Sequence, residues 1–232
     1  MQKIKGKSNL VKFALKSQLL LLTAAAFIGC ADSSTDLGSQ TSAMDSASSH
    51  VSSVAPLWES EHQDGKQWTS HVLRQLDVIG TDLLDVIPSD YATWCPNYKN
   101  LTYNERKDFW AYLLSQMTRY ESGFAPEKFY TESFSDSKGK KVISRGLLQL
   151  SIESGNAYGC GFRTSKDVHD PEQNLACGVR ILNRWVGKDG RIGGNSGRQW
   201  RGGARYWSVL RSSSGSYQKI VKATKSISIC QK

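Results

Sequence analysis

Residues 102–123 constrain the fold of this chain more than any other segment. Thr102 and Glu105 stand at capping-box spacing, and Trp110, Leu113, Leu114 and Met117 follow at i, i+3, i+4 and i+7, one apolar face of a helix. Gly123 and then Pro126 mark where that helix stops. Carried forward by its own period, the apolar stripe arrives at Glu121, seven residues beyond Leu114 and four beyond Met117. A carboxylate on such a face is costly unless it is paired or neutralised. A frayed last turn, a surface position past the last buried residue, or an ion pair with Arg145 would each explain it. So would a carboxyl held in a partly dry cleft, its pKa raised so that it can donate a proton near neutral pH. Periodicity alone leaves these readings open.

Other segments point to the same class. Residues 68–79 carry Val72, Leu76 and Ile79 at helical spacing, and a short apolar stretch at 83–87 stops at Pro88. A helix is expected over 147–158. Another is expected over 171–185, with Pro171 in its first turn and Leu175, Val179, Leu182 and Trp185 on one face. A last helical segment is expected over 204–210. Residues 91–99, with Cys95, Pro96 and Asn97, have the composition of a loop, and 187–203 form a Gly-rich loop bearing arginines. Strand signal is confined to 140–143. The expectation is one mainly α domain over 57–232, with little or no sheet and no internal repeat.

The first thirty residues do not count toward that domain. Lys3, Lys5, Lys7, Lys12 and Lys16 precede an apolar run over 19–28, followed by Gly29 and Cys30. This order is that of a secretion signal, too short to remain as a membrane span. Phe27-Ile28-Gly29-Cys30 resembles the bacterial lipoprotein box, which implies a signal over 1–29, lipidation of Cys30 and a membrane anchor at the new N-terminus. Ala31 after the cysteine resembles outer-membrane sorting. The expected location is the cell envelope, as an outer-membrane lipoprotein facing the periplasm or as a secreted protein. Residues 30–56 are rich in Ser, Thr, Ala and Asp, with almost no large apolar side chain, and are expected to form a disordered tether.

Four cysteines remain, Cys95, Cys160, Cys177 and Cys230, an even number suited to an oxidising compartment. Three connectivities are possible; the expected one joins Cys160 to Cys177 across a local loop and Cys95 to Cys230 at the far C-terminus. The chain has no CxxC, and its four histidines cluster neither with cysteine nor with one another, so no metal and no cofactor are expected. The net charge of +9 falls to +7 for 57–232, where 25 basic side chains face 18 acidic ones. That balance suits a polyanionic partner or simple solubility, and export argues against nucleic acid.

Glu121-Ser122-Gly123-Phe124 is followed by Ser144-Arg145-Gly146-Leu147-Leu148-Gln149-Leu150-Ser151, then by Asp170-Pro171-Glu172-Gln173-Asn174-Leu175 with Gly178, and last by Ala204-Arg205-Tyr206-Trp207. In this order and spacing the four motifs resemble the soluble lytic transglycosylase domain, a relative of goose-type lysozyme. The fourth departs from the family's usual Ala-Tyr-Asn-Ala-Gly. The resemblance implies a lysozyme-like fold that cleaves the β-1,4 bond between N-acetylmuramic acid and N-acetylglucosamine in peptidoglycan strands. It makes Glu121 the general acid and base, with Gln149, Tyr206, Ser144, Asn174, Ser122 and Ser151 as candidate substrate-binding positions.

With a single carboxyl group, Glu121 would protonate the leaving oxygen. It would then activate either the muramic 6-hydroxyl, giving a 1,6-anhydro end, or water, as in a lysozyme. The resemblance favours the first. Hydrolysis, including that of modified or de-N-acetylated glycan, and a non-catalytic wall-binding lipoprotein of the same fold are the alternatives. Glu127, Glu132, Asp136 and Glu153 lie near the motifs, and surface solvation accounts for each. Arg191, Arg198, Arg201 and Arg205 are candidates for muramyl-peptide carboxylates, or else members of a solvated mobile loop.

Overall fold

The computed structural model describes residues 52–232; the signal, Cys30 and the tether up to residue 51 lie outside the described residues. Folded packing begins slightly ahead of Leu57. The amide and hydroxyl of Ser53 donate to Asp108 Oδ2 at 2.9 and 2.7 Å, and Val54 is buried, so residues 52–56 belong to the body rather than to the tether.

In chain order the helices before the sheet are α1 (Trp58–Glu61), α2 (Gly65–Ile79), α3 (Thr81–Asp85), α4 (Tyr91–Trp94) and α5 (Tyr103–Glu121). The antiparallel hairpin β1 (Phe129–Ser135) and β2 (Lys141–Arg145) follows, then α6 (Ile152–Ala157), α7 (Ser165–His169) and α8 (Pro171–Asp189). A minimal hairpin, β3 (Asn195–Ser196) and β4 (Gln199–Trp200), precedes α9 (Tyr217–Lys225). The class is mainly α, as expected.

Helix α5 is the axis of the body. Thr102 caps it with the reciprocal bonds of a capping box: its hydroxyl accepts from the Glu105 amide, and the Glu105 carboxylate accepts from the Thr102 amide. Phe109, Trp110, Leu113, Leu114 and Met117 are fully buried. The burial extends round the helix to polar residues that find partners. Lys107 Nζ pairs with Asp77 at 3.1 Å, and the Ser115 hydroxyl oxygen accepts from the Leu57 amide at 2.9 Å. Trp110 Nε1 donates to the Leu83 carbonyl at 2.7 Å and to the Tyr98 hydroxyl at 2.9 Å, so an indole inside the core has no orphaned donor. Helices α2, α3 and α9 pack on α5, and α8 packs on α2 and α3.

Several expectations need correction. The helix expected over 147–158 is only 152–157, because 146–149 form a tight loop closed by Arg145 and Leu150, which exchange both backbone hydrogen bonds. In place of a helix over 204–210 there are two 3-10 turns, Gly202–Arg205 and Ser208–Leu210, with Tyr206 and Trp207 between them. The strand at 140–143 has a partner, β1, and 91–99 holds α4 and a 3-10 turn. Helix α9 carries Ile220, Val221 and Thr224 on its buried side and had no counterpart in the reading of the sequence.

The disulfides join Cys95 to Cys230 and Cys160 to Cys177, the expected connectivity. The first ties the end of the chain beside α4 across a separation of 135 residues, the second links the segment after α6 to α8 across 17. Closing the longer loop removes more freedom from the unfolded chain. Replacing Cys95 and Cys230 together by serine is therefore expected to lower the unfolding free energy by about 3–5 kcal/mol in urea titration. Replacing Cys160 and Cys177 should cost less, about 3 kcal/mol. A larger loss for the shorter loop would contradict this ordering.

Candidate active site

Glu121 is the last residue of α5, and the chain leaves the helix abruptly after it. The amides of Ser122 and Gly123 both donate to the Thr118 carbonyl, and the Ser122 hydroxyl donates to the same oxygen at 3.2 Å. Gly123 and Phe124 are both left-handed, with φ of 65° and 64°. Glycine adopts that conformation freely, whereas Phe124 holds it at a cost of about 1–2 kcal/mol, offset by burial of its ring. The resulting sharp turn leaves Glu121 at the helix tip. Ser122 is buried within the cap and does not line the cleft.

The Glu121 carboxyl lines a cleft of about 680 Å³. Its walls come from the β1–β2 hairpin, from 149–157 and from 206–211. No hydrogen bond or ion pair to the carboxyl is made among the described residues; Arg145 instead donates to the Ile143 carbonyl. Burial pushes the Glu121 carboxyl up to about 7, the negative charge of Glu132 adds to the shift, and Lys128 opposes it. Near neutrality this side chain therefore has both a protonated and an ionised form available, as a group that gives and then takes a proton requires. Of the explanations open at first, fraying and pairing with Arg145 fall away.

Glu132 is the second carboxylate at the cleft. It lies in the irregular part of β1, between the pair Thr131 with Ile143 and the pair Ser135 with Lys141. The Ser144 hydroxyl on β2 donates to its Oε1 at 2.7 Å. Ser144 thus enters the site by positioning Glu132. Asp136 and Glu153 also line the cleft, so solvation alone does not describe Glu132, Asp136 or Glu153. At the hairpin's turn, the Ser137 hydroxyl donates to Glu153 at 2.6 Å, joining the hairpin to α6.

Gln149 lines the cleft from the tight loop, with φ of 49°, an unusual conformation for a residue with a side chain. Its Nε2 donates to the Gly146 carbonyl at 2.8 Å and to the Lys128 carbonyl at 3.2 Å, and its amide oxygen has no partner among the described residues. Asn174 braces this loop from behind. Fully buried on α8, it accepts from the Leu148 amide at 2.9 Å and donates to the carbonyls of Val168 at 2.8 Å and Arg145 at 3.2 Å. A Cβ on Gly146, itself left-handed at φ 72°, would lie 2.5 Å from Asn174 Nδ2 and 2.4 Å from the Val168 oxygen, so only glycine fits. Asn174 therefore supports the loop from behind and does not line the cleft.

Ser151 lines the cleft as the N-cap of α6, accepting from the Ser154 amide at 3.1 Å. The Ser154 hydroxyl is hydrogen-bonded to that of Tyr206. Burial pushes the Tyr206 phenol up to about 12 despite that bond, and the charges of Tyr158 and Glu121 add to the shift. Tyr206 is a neutral hydroxyl within electrostatic reach of Glu121.

The four arginines proposed for substrate are placed otherwise. Arg205 makes a two-pronged contact with Asp189 at 2.6 and 2.9 Å, Arg201 joins it at 3.5 Å, and Arg191 lies 3.7 Å from the buried Asp90. Asp90 also accepts from the amides of Ile192 and Gly193, so the arginines and aspartates fasten the loop at its base instead of leaving it mobile. Arg198 is exposed, and none of the four lines the cleft. Glu127 stands apart from it, near His169. The cation that does line the cleft, Arg211, was not read from the sequence. Glu132 was within reach: Ser135-Asp136-Ser137-Lys138-Gly139 is a turn between two runs of strand-forming residues. Among the described residues no cluster of His, Cys, Asp and Glu could hold a metal.

No protein-family model matches the chain, and no curated protein does. Solved structures are similar over about three quarters of the chain. Wild-type Bd0314 DslA, in a second form, shares 58% identity across 76% of this chain and 98% of that one, with a TM-score of 0.75. Two variants of the same protein, each with one glutamate replaced by glutamine, match at 57% identity with the same coverage and TM-score. With that identity over nearly the full length of the solved chain, this protein belongs to the family of Bd0314 DslA.

Proposed function

We propose that this protein is a peptidoglycan glycosidase that cuts the β-1,4 bond between N-acetylmuramic acid and N-acetylglucosamine, with Glu121 as the general acid. The observation that carries the reading is an unpaired carboxyl at a helix tip, facing a cleft and held near half-protonation at neutral pH by burial. In its protonated form Glu121 donates to the leaving glycosidic oxygen as the sugar carbon gains oxocarbenium character. Of the motifs resembling the soluble lytic transglycosylases and goose-type lysozymes, Ser144, Gln149, Ser151, Tyr206 and Trp207 line the same cleft as Glu121, with Gln149 and Tyr206 assigned to the sugar.

The position of Glu132 favours hydrolysis over formation of a 1,6-anhydro end. A lone carboxyl must reuse itself and recruits the sugar's own hydroxyl. A second carboxylate at the cleft, steadied by Ser144, provides a base for water, as in glycosidases that work with a pair. The glutamates replaced in the two Bd0314 DslA variants lie eleven residues apart in that chain, and Glu121 and Glu132 are also eleven apart. The carboxyl groups of Glu132, Asp136 and Glu153 around the cleft beside Glu121 further favour a de-N-acetylated glycan, whose glucosamine carries a positive ammonium. The reading includes an exported enzyme anchored to the membrane through a lipid on Cys30, consistent with two disulfides.

Replacing Glu121 by glutamine should reduce release of soluble muropeptides from purified wall by about a thousandfold with the fold intact. Undiminished release would favour a wall-binding module. Glu132→Gln should cost about a hundredfold. Mass spectrometry of products should find free reducing ends, and a mass lower by one water would restore the anhydro outcome. De-N-acetylated wall should be cut faster than the acetylated form.

Rate should fall as pH rises through about 7, where Glu121 loses its proton. Stability follows the same group. Its folded pKa lies above the ordinary 4.5, so the folded state holds the proton more tightly. That contribution is complete below pH 4.5 and lost as pH rises through 7. Glu121→Gln should then gain little stability at pH 4 and about 2–3 kcal/mol at pH 8, measured by urea unfolding.

A further inference from the structure

Arg211 is the single cation among the described side chains that line a cleft otherwise furnished with four carboxylates. Coulomb attraction alone would draw it onto one of them, yet it makes no ion pair among the described residues. Its attachments hold it elsewhere. Nε donates to the Ala204 carbonyl at 3.1 Å, and the guanidinium lies over the Trp200 ring, 5.6 Å from its centroid. Ala204 is fully buried in the 3-10 turn before Tyr206, so the anchor for Nε is part of the rigid body. Backbone and indole thus fix the plane of the guanidinium. Its two terminal nitrogens make no hydrogen bond among the described residues, and these carry the paired donors that match a carboxylate.

A pre-oriented guanidinium with unspent donors, placed in an acidic cleft, suits an anionic group that arrives with the ligand. We propose that Arg211 is a specificity-determining residue that binds a carboxylate on the muramic side of the glycan. That group is either the lactyl carboxylate itself or a carboxylate of the stem peptide attached there. The inference deepens the glycosidase reading and rests on it. A strand carrying one cationic and one anionic sugar per repeat would meet carboxylates along one part of the cleft and Arg211 at another. Binding one repeat out of step would set like charges against each other. Arg211 would thereby fix which of the alternating bonds reaches Glu121.

The test is calorimetric binding of three ligands to the full mature protein and to its Arg211→Gln and Arg211→Lys forms. The ligands are a glycan fragment with a free lactyl carboxylate, one bearing a stem peptide whose own carboxylates are intact, and a carboxylate-free glucosamine oligomer. Arg211→Gln should weaken at least one carboxylate-bearing ligand by about ten- to a hundredfold and leave the glucosamine oligomer unchanged. Arg211→Lys should restore part of that loss, since it returns the charge without the paired geometry. The ligand that responds identifies which carboxylate is bound.

Equal weakening of all three ligands would assign Arg211 a merely structural role and overturn the proposal. No weakening, or no binding of either carboxylate-bearing ligand to the unaltered protein, would overturn it as well. Release of muropeptides by the unaltered protein is scored separately. Its absence would remove the glycosidase reading, whereas release with an unresponsive Arg211 would remove only this inference.

Discussion

Everything at the site depends on α5 being enclosed. A helix buried on one side can slide or roll by a fraction of a turn at little cost. One whose Trp110, Phe109, Leu114 and Met117 are fully buried, and whose polar neighbours Asp108 and Ser115 are bonded to residues 53 and 57, cannot. The position of the Glu121 carboxyl is therefore set by packing along the whole helix, and the left-handed pair Gly123 and Phe124 stops the helix at that residue. The role proposed for this carboxyl, protonating a glycosidic oxygen, asks that it be dry enough to keep its proton and open enough to meet a sugar. The tip of an encased helix meets both requirements.

The second structural requirement is met from behind. The loop carrying Gln149 has too few residues to hold its own shape, and it borrows rigidity from Asn174 and from the paired backbone of Arg145 and Leu150. The Trp207 indole adds a donor to the Leu148 carbonyl at 2.9 Å, tying the loop to residues 206–211 of the cleft. Three motifs far apart in the chain thus converge on one short turn, and a single buried amide bonds both the Leu148 amide and the Arg145 carbonyl there. This arrangement gives a physical meaning to motif spacing that periodicity cannot supply.

What the sequence made legible follows from how local each signal is. The capping box of α5, the Pro171 start of α8 and the stripe of α2 depend on residues within a few turns, and the structure has all three. Glu121 was conspicuous because it breaks its own helix's pattern. The hairpin gave a fainter sign, a turn sequence between two short runs of strand-forming residues. Strand β1 is exposed on both faces along most of its length, so no alternation of apolar and polar residues marks it, and Glu132 acquires a place only through pairing with β2. Residues 146–150 have the leucines of a helix, but the tight approach of Asn174 and the left-handed Gly146 and Gln149 override that preference. Arg211 was equally hidden, since a 3-10 turn and a stacked indole, neither visible in a helical pattern, bring it to the cleft.

Gly146 stands so close to Asn174 that a side chain at 146 would displace the asparagine, whose amide holds the loop together. Descent can erase Glu121 at no cost to folding, because an unpaired carboxyl in a partly buried place is a burden on stability. It cannot as easily erase the glycine and the asparagine. In distant sequences the two should act as a marker of ancestry, recording that a lineage inherited the scaffold. The glutamate at the helix tip would record separately whether the lineage keeps the acid proposed for it.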